Sequence, residues 1–254
     1  MKYELVKPSK ELENYISHFW VGTWDINQQD ANTKYYVIAS SFTELTFAFR
    51  NNNRHPELLF SSVQGQTDQP SQIPVNGFYN LLGVAIYSYA VPSLFNISSS
   101  ELNREFISLN TFLGRDGNIL SEKIALAEDT KERINILSSY LKSRLNKSKY
   151  EDKLITNAIK QIEKCNGNTN IEKLAEDHFL SHKQFKRRFK EYSGFNPKLY
   201  SRIIRFESLI KNHTKFTTLT KAAHALGYYD QAHFIREFKY FSGFSPLKFW
   251  ELGK

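Results

Sequence analysis

The chain has 254 residues, of which 41% are hydrophobic and 24% are charged, a composition typical of a globular protein with one large domain or two smaller ones. Its single cysteine, Cys165, excludes a disulfide framework and a cysteine-rich zinc site. The N-terminus lacks the apolar segment of a signal peptide, and no apolar run reaches the roughly 18 residues of a membrane span. We therefore expect a cytoplasmic protein with no membrane segment.

The positive charge is unevenly distributed. Residues 1–150 contain 15 Lys and Arg against 15 Asp and Glu, so all of the formal net charge of +8 arises from residues 151–254. A basic region beside a neutral one indicates a polyanionic partner such as a nucleic acid. A solvated lysine-rich surface would give the same balance.

The first ninety residues have the pattern of short strands separated by turns. Runs rich in β-branched and aromatic residues occupy 35–38, 45–49, 58–60 and 81–89, with Asn, Pro and Gly between them. Several short strands at such spacing predict a sandwich or a barrel.

Helical spacing begins after Ile97. Four apolar residues predict a first helix: Leu102, Phe106, Leu109 and Leu113. Further helices are predicted over 118–128 and 130–145, and the polar segment 146–149 is a predicted linker. The 130–145 helix has two possible roles, packing on its own domain or against a copy of itself in a homodimer.

The C-terminal part contains an internal repeat. Residues 185–197, FKRRFKEYSGFNP, recur as 234–246, FIREFKYFSGFSP, at an offset of 49. The apolar stripe of 171–178 recurs in 219–226 at an offset of 48, so the copies differ by one residue in the turn. Each copy therefore predicts a helix-turn-helix unit, over about 171–197 and 219–246.

The second helix of each unit has the features of a helix that reads DNA. Ser181 and Asp230 are predicted N-caps, with Gln184 completing a capping box in the first copy. Phenylalanine pairs four residues apart predict a buried inner face, whereas the outer face is polar and basic. A duplicated hairpin of a helical bundle would bury the same pairs, but the caps and basic outer faces favour a helix that enters the major groove.

Residues 227–239, GYYDQAHFIREFK, followed by GFSP at 243–246, resemble the signature of the AraC/XylS family of bacterial transcription regulators. The first unit fits as well, so that the resemblance covers about 155–250. Phe179 and Trp250 depart from it, since the family often has a small or polar residue and a Tyr-Arg ending there. The N-terminal part is similar, more loosely, to the family's sensory domains.

The resemblance implies an α+β protein with two domains. Residues 1–148 would form a cupin-like β-barrel with trailing helices, and residues 149–254 an all-α, seven-helix DNA-binding domain in which a long helix joins the units. The implied function is a regulator of transcription that binds double-stranded DNA, most often an activator that recruits RNA polymerase, under the control of a small-molecule effector. The alternative is a sensing module whose helical domain contacts proteins.

Base reading is expected at the start of each second helix, because these side chains offer hydrogen bonds or methyl contacts to base edges. The candidates are His182, Lys183, Lys186, Arg187, Gln231, Ala232, His233 and Arg236. Arg187 and Arg236 have a second possible role as braces to a neighbouring helix. The candidates for phosphate contact are Lys190, Lys198, Arg202, Lys239 and Lys248.

An N-terminal barrel also suggests an effector pocket. Its candidate lining residues are Trp20, Trp24, Tyr35, Tyr36, Glu44, Phe47 and Phe49. Such residues more often form only the core. Only two histidines, His18 and His55, lie in residues 1–150, and no nucleophile, P-loop or dinucleotide motif is present, so we expect neither an enzyme, a metal site nor a cofactor.

Overall fold

The computed structural model describes residues 2–25, 34–51, 56–74, 78–145, 151–213 and 219–252. The chain divides into two compact units. The first comprises Met1–Lys34, Phe42–Gln66 and Pro74–Glu151, and the second comprises Tyr35–Ser41, Thr67–Ile73 and Asp152–Lys254. The predicted boundary at 148/149 falls outside the described residues. Two short N-terminal segments thus belong with the C-terminal helices, which the two-domain prediction did not include.

Antiparallel strands build the first unit, in agreement with the predicted α+β class. Among the described residues they form a six-stranded sheet in the order β1-β2-β7-β4-β5-β8. Its strands are β1 (Lys2–Val6), β2 (Ile16–Asp25), β4 (Phe42–Asn51), β5 (Pro56–Gln64), β7 (Phe78–Tyr87) and β8 (Phe106–Ser108). Two more strands, β3 (Lys34–Val37) and β6 (Ser71–Pro74), pair separately.

One face of the six-stranded sheet forms the core of the first unit. Leu45 and Phe47 are fully buried there, and the guanidinium of Arg133 lies 4.2 Å from the centre of the Phe49 ring. The helices of this unit are α1 (Val91–Phe95), α2 (Leu109–Leu113), α3 (Arg115–Leu126) and α4 (Thr130–Leu145). The predicted 118–128 and 130–145 helices are therefore present.

The single helix predicted from Leu102 to Leu113 is wrong. Leu102 ends a 3-10 turn, Phe106 begins strand β8, and only Leu109 and Leu113 share a helix. Arg104 lies between them with φ of 64°, in the left-handed region, where a right-handed helix cannot continue. The four apolar residues therefore belong to different elements. Phe106 and Ile107 lie on β8, which pairs with β5, and Leu109 begins the following helix.

Seven helices lie in the described part of the second unit. They are α5 (Lys153–Lys164), α6 (Ile171–Asp177), α7 (His182–Ser193), α8 (Pro197–Asn212), α9 (Leu219–Ala225), α10 (Gln231–Ser242) and α11 (Pro246–Leu252). The pairs Phe185/Phe189 and Phe234/Phe238 are at most 1% exposed, as their spacing predicts. Helix α8 starts at Pro197, whose missing N–H costs nothing in a first turn, and Asn196 caps it.

Two carboxyl groups of the second unit are held in largely desolvated positions. Burial raises the pKa of Glu163 to about 7, although the Tyr200 hydroxyl, which donates to Oε1 over 2.7 Å, lowers it in part. Burial likewise raises the pKa of Glu207 to about 7 against two hydrogen bonds from Ser41, and the charge of Glu163 raises it further. Both groups therefore favour the protonated form in the folded protein.

The two raised pKa values predict a pH-dependent stability. A carboxyl whose pKa is higher in the folded than in the unfolded chain contributes stability that is present below the unfolded value, 4.5, and is lost as pH rises through about 7. The double variant Glu163→Gln/Glu207→Gln should therefore flatten the fall in melting temperature across this window. Thermal melts at constant ionic strength measure it, with exposed Glu122→Gln as the control. An unchanged slope in the double variant would contradict the desolvation argument.

Candidate nucleic-acid interface

Helices α7 and α10 each begin at a side-chain cap. Ser181 Oγ accepts a hydrogen bond from the Gln184 backbone N–H, and Gln184 Oε1 accepts one from the Ser181 N–H, which completes the capping box. Asp230 Oδ1 accepts from the His233 N–H over 2.6 Å. These bonds satisfy backbone donors at the helix start and fix where the outer face begins. Gln184 thus serves its own helix rather than a base.

The outer face of α7 is cationic and open. His182, Lys183, Lys186 and Arg187 are all exposed, and none makes a hydrogen bond or ion pair to another described residue. Lys190, one turn further along, is exposed as well. The inner face is occupied by buried Phe185 and Phe189. The helix therefore presents Lys183, Lys186, Arg187 and Lys190 outward, with Glu191 the acidic residue on the same helix.

The outer face of α10 is less charged. Gln231, Ala232 and Arg236 are exposed, and Gln231 Oε1 accepts a hydrogen bond from the Thr220 hydroxyl over 3.0 Å. His233 differs from the prediction, since it is half-buried against the Tyr228 ring with centroids 5.5 Å apart. Its Nε2 lies 3.9 Å from Glu237 Oε2. His233 is thus directed partly inward, which leaves three reading candidates on this helix.

Four of the five predicted phosphate contacts are on the surface: Lys190, Lys198, Lys239 and Lys248. Lys248 forms an exposed ion pair with Glu251 over 3.4 Å, and such pairs exchange easily with solvent. Arg202 is a correction. Its Nε lies 2.6 Å from Glu237 Oε2, and its guanidinium lies over the Tyr240 and Phe241 rings, so it is committed inside the unit.

Each second helix is braced by one ion pair to the helix before its unit. Arg188 donates to Asp152 Oδ2 over 2.6 Å, which ties α7 to the start of α5, while Arg202 and Glu237 tie α8 to α10. Arg188 and Glu237 are equivalent at the offset of 49, with opposite charge. The bracing role foreseen for Arg187 and Arg236 therefore belongs to the next residue in each copy, and Arg187 and Arg236 stay exposed.

The Arg202–Glu237 pair gives a direct prediction. Arg202→Ala would leave Glu237, whose side chain is 3% exposed, without its cation. We expect a loss of roughly 2 kcal/mol in stability, below the about 3–5 kcal/mol of a fully buried pair because Arg202 is partly exposed. Chemical denaturation measures this loss. Exposed Lys198→Ala is the control, and equal stability of the two variants would show that the brace contributes nothing.

The turns of the two units differ at one position. Phe179 has φ of 55° in the first copy, where Gly227 has φ of 72° in the second. Leu180 and Tyr228 follow, each donating its backbone N–H five residues back, to Ala175 and Ala223. Tyr229 is then the extra residue of the second copy. Phe179 is 95% exposed, so a strained backbone presents its ring to solvent.

The strain at Phe179 predicts a stabilising substitution. Phe179→Gly should raise the stability of the protein by about 1 kcal/mol, since glycine adopts a positive φ freely and an exposed ring gives up little packing. Gly227→Ala should lower it, because the same backbone conformation would then carry a Cβ. Thermal melts of both variants give the comparison. A destabilised Phe179→Gly would mean that the ring stabilises the turn.

The predicted effector residues do not lie together. Trp20 pairs with Gly83, and Gly83 with Thr46, so Trp20 and Glu44 share one face of the sheet. Burial raises the pKa of Glu44 to about 7, and the neighbouring Trp20 side chain lowers it in part. Phe47 and Phe49 lie on the opposite, helix-covered face, which corrects their assignment to one pocket.

The remaining three candidates lie elsewhere. Tyr35 and Tyr36 belong to the second unit, where the Tyr36 ring contacts Phe244 with centroids 4.9 Å apart. The side chain of Trp24 is outside the described residues. Among the candidates whose side chains the structure describes, only Trp20 and Glu44 lie together.

No group of three or more His, Cys, Asp or Glu in the described part of the chain could hold a metal ion. No helix there combines the length and apolar content needed to cross a bilayer. Cys165 is exposed.

Two family profiles match the chain. Residues 4–108 match a domain of unknown function, DUF6597, and residues 174–251 match a helix-turn-helix domain. No curated protein sequence matches. The second profile spans both copies of the repeat, from α6 to the end of α11.

Solved structures of ToxT from Vibrio cholerae have a similar fold. One crystal form superposes with a TM-score of 0.50 at 13% identity, covering 92% of this chain and 98% of ToxT. ToxT bound to (E)-4-(8-methylnaphthalen-1-yl)but-3-enoic acid gives 0.51 at 12% identity, covering 93% and 99%. At this identity the likeness concerns the fold alone. The chain therefore contains a helix-turn-helix domain over residues 174–251 and a DUF6597 domain over residues 4–108, in a fold similar to that of ToxT.

Proposed function

We propose that this protein is an AraC-type transcription regulator that recognises two adjacent major-groove sites, one through the start of α7 and one through the start of α10. The observation that carries the proposal is the separation of faces on these two helices. Phenylalanines and the bracing ion pairs occupy the inner faces, whereas the capped outer faces present Lys, Arg and Gln to solvent.

The two helices should read different bases. Lys186 and Arg187 on α7 donate to guanine O6 and N7. On α10, Arg236 can do the same, Gln231 suits adenine, and Ala232 suits a thymine methyl. The first half-site should therefore be G-rich and the second mixed. If both helices face one side of the duplex, the half-sites lie about 34 Å apart, one DNA turn.

Lys190, Lys198, Lys239 and Lys248 would neutralise phosphates. They carry no base information, but they position the unit on the duplex. Each phosphate contact makes the negative slope of log K against log salt steeper by about 0.9. This gives the two classes of residue separate signatures, since base contacts change sequence preference and phosphate contacts change salt dependence.

Selection of bound duplexes from a random pool, with the full chain, tests the proposal. We expect two short motifs about ten base pairs apart. Arg236→Ala should cost about 1–3 kcal/mol of binding and relax one position of the second motif. Lys190→Ala should weaken binding to all sequences and reduce the salt slope by about 0.9. Binding that is insensitive to salt and to Arg236→Ala would instead favour a module that uses its helices for protein contacts.

Regulation by the N-terminal unit is part of the same proposal. Trp20 and Glu44 are the candidate effector contacts, because a carboxyl whose pKa is raised by burial, beside an indole, suits a ligand with hydrogen-bond donors and an aromatic or aliphatic body. Activation through RNA polymerase and assembly as a homodimer through α4 remain expectations from the family resemblance.

A further inference from the structure

A short two-stranded segment from the N-terminal half of the chain packs on the second helix-turn-helix. This segment, here called the ribbon, consists of Tyr35–Ser41 and Thr67–Ile73, which belong to the second unit. Its two parts are joined by β3–β6 pairing and by reciprocal backbone hydrogen bonds between Ser40 and Thr67, of 2.8 and 3.0 Å. It therefore acts as one element.

The ribbon contacts the C-terminal end of α10. The Ala39 N–H donates to the Phe241 carbonyl oxygen over 2.9 Å, and the Tyr36 ring contacts Phe244. The Tyr240 hydroxyl donates to Asp68 Oδ2 over 3.4 Å. These contacts combine backbone, aromatic and side-chain hydrogen bonding over the last turn of the helix.

The backbone just after α10 is equally close. Gly243 ends the helix with φ of 80°, and a Cβ placed on it would lie 3.5 Å from two ring carbons of Pro70. Pro70 of the ribbon therefore lies close to the helix end, at the distance that a single added methyl group would bridge.

The ribbon also contacts α8. Both oxygens of the Glu207 carboxyl accept hydrogen bonds from Ser41, one from the backbone N–H over 2.6 Å and one from Oγ over 2.8 Å. Helix α8 carries Arg202, the brace of α10. The ribbon therefore contacts both helices whose relative position sets the direction of the second reading helix.

The reading end of α10 is left clear. Gln231, Ala232 and Arg236 are exposed at the opposite end of the helix. A segment that blocked DNA would have to cover these residues. The ribbon instead supports the helix from behind, which is the position of a brace.

We infer that the ribbon is a positioning element for α10, so that base preference at the second half-site depends on residues Tyr36 and Ser41 from the N-terminal half of the chain. This inference rests on the proposed function. The chain passes from one unit to the other at both ends of each ribbon segment, and Ser41 is followed directly by Phe42, where β4 starts. The five ribbon contacts involve α8, α10 or the residues just after it, and the first reading helix takes no part in them.

The test uses the full chain and duplexes in which one of the two selected motifs is scrambled. In Tyr36→Ala/Ser41→Ala we expect the preference for the second motif to fall about tenfold, within the range of measured couplings, while preference for the first motif is retained. Exposed Ser71→Ala, on the same ribbon, is the matched control and should change neither. Salt dependence should stay the same, because no phosphate contact is altered.

A second pair of variants separates positioning from folding. Glu207→Ala should reproduce the loss at the second motif, whereas Glu207→Gln, which keeps an acceptor for Ser41, should restore most of it. Equal loss at both motifs with a lower melting temperature would overturn the inference in favour of a purely structural role. So would full retention of the second motif in the double variant. If the wild-type chain selects no motif at all, the proposed function fails instead, and the two results are distinguishable.

Discussion

Two ion pairs of opposite polarity, each built on a buried acid, hold helices α7 and α10 of this protein. Asp152 and Arg188 join α5 to α7, and Arg202 and Glu237 join α8 to α10. The acids are at most 4% exposed, so each needs its own cation. Because the polarity is reversed between the copies, docking α10 where α7 belongs would place Glu237 against Asp152. The braces therefore discriminate between two helices whose phenylalanine pairs are otherwise interchangeable.

The same braces decide which charges remain available for DNA. Arg188 and Arg202 form ion pairs within the unit, so the cations available to DNA are the other basic side chains on its outer surface. An arginine that is paired with a buried acid would gain little by contacting a phosphate, because it would have to leave that acid unpaired. Arg187 and Lys186, which have no acidic partner among the described residues, keep their full attraction for an anionic duplex. Neighbouring positions of the same helix thus differ in role: position 187 or 236 remains exposed, and the next residue forms the bracing ion pair.

Much of this unit could be predicted from the sequence, because its signals are local. Caps, the Phe185/Phe189 spacing and the repeat offset each involve residues close in the chain. The bracing residues could not be assigned, since one residue along a helix turns the side chain by about 100° and the partner lies far away in sequence. The opposite charges of positions 188 and 237 were the available signal. The sequence contained no signal for the ribbon, because strands of a barrel and strands of a ribbon show the same alternation of apolar and polar residues.

The two copies are therefore alike in sequence but unequal in support. The first turn contains strained Phe179 in place of glycine, whereas the second has its glycine and an extra residue, Tyr229. Only the second has the ribbon behind its reading helix in the contacts described above. A change at the ribbon can then alter α10 without the same change in α7. Under the proposal that the two helices read separate half-sites, such a change would alter the relative affinity for the two sites before it altered whether the protein binds DNA at all.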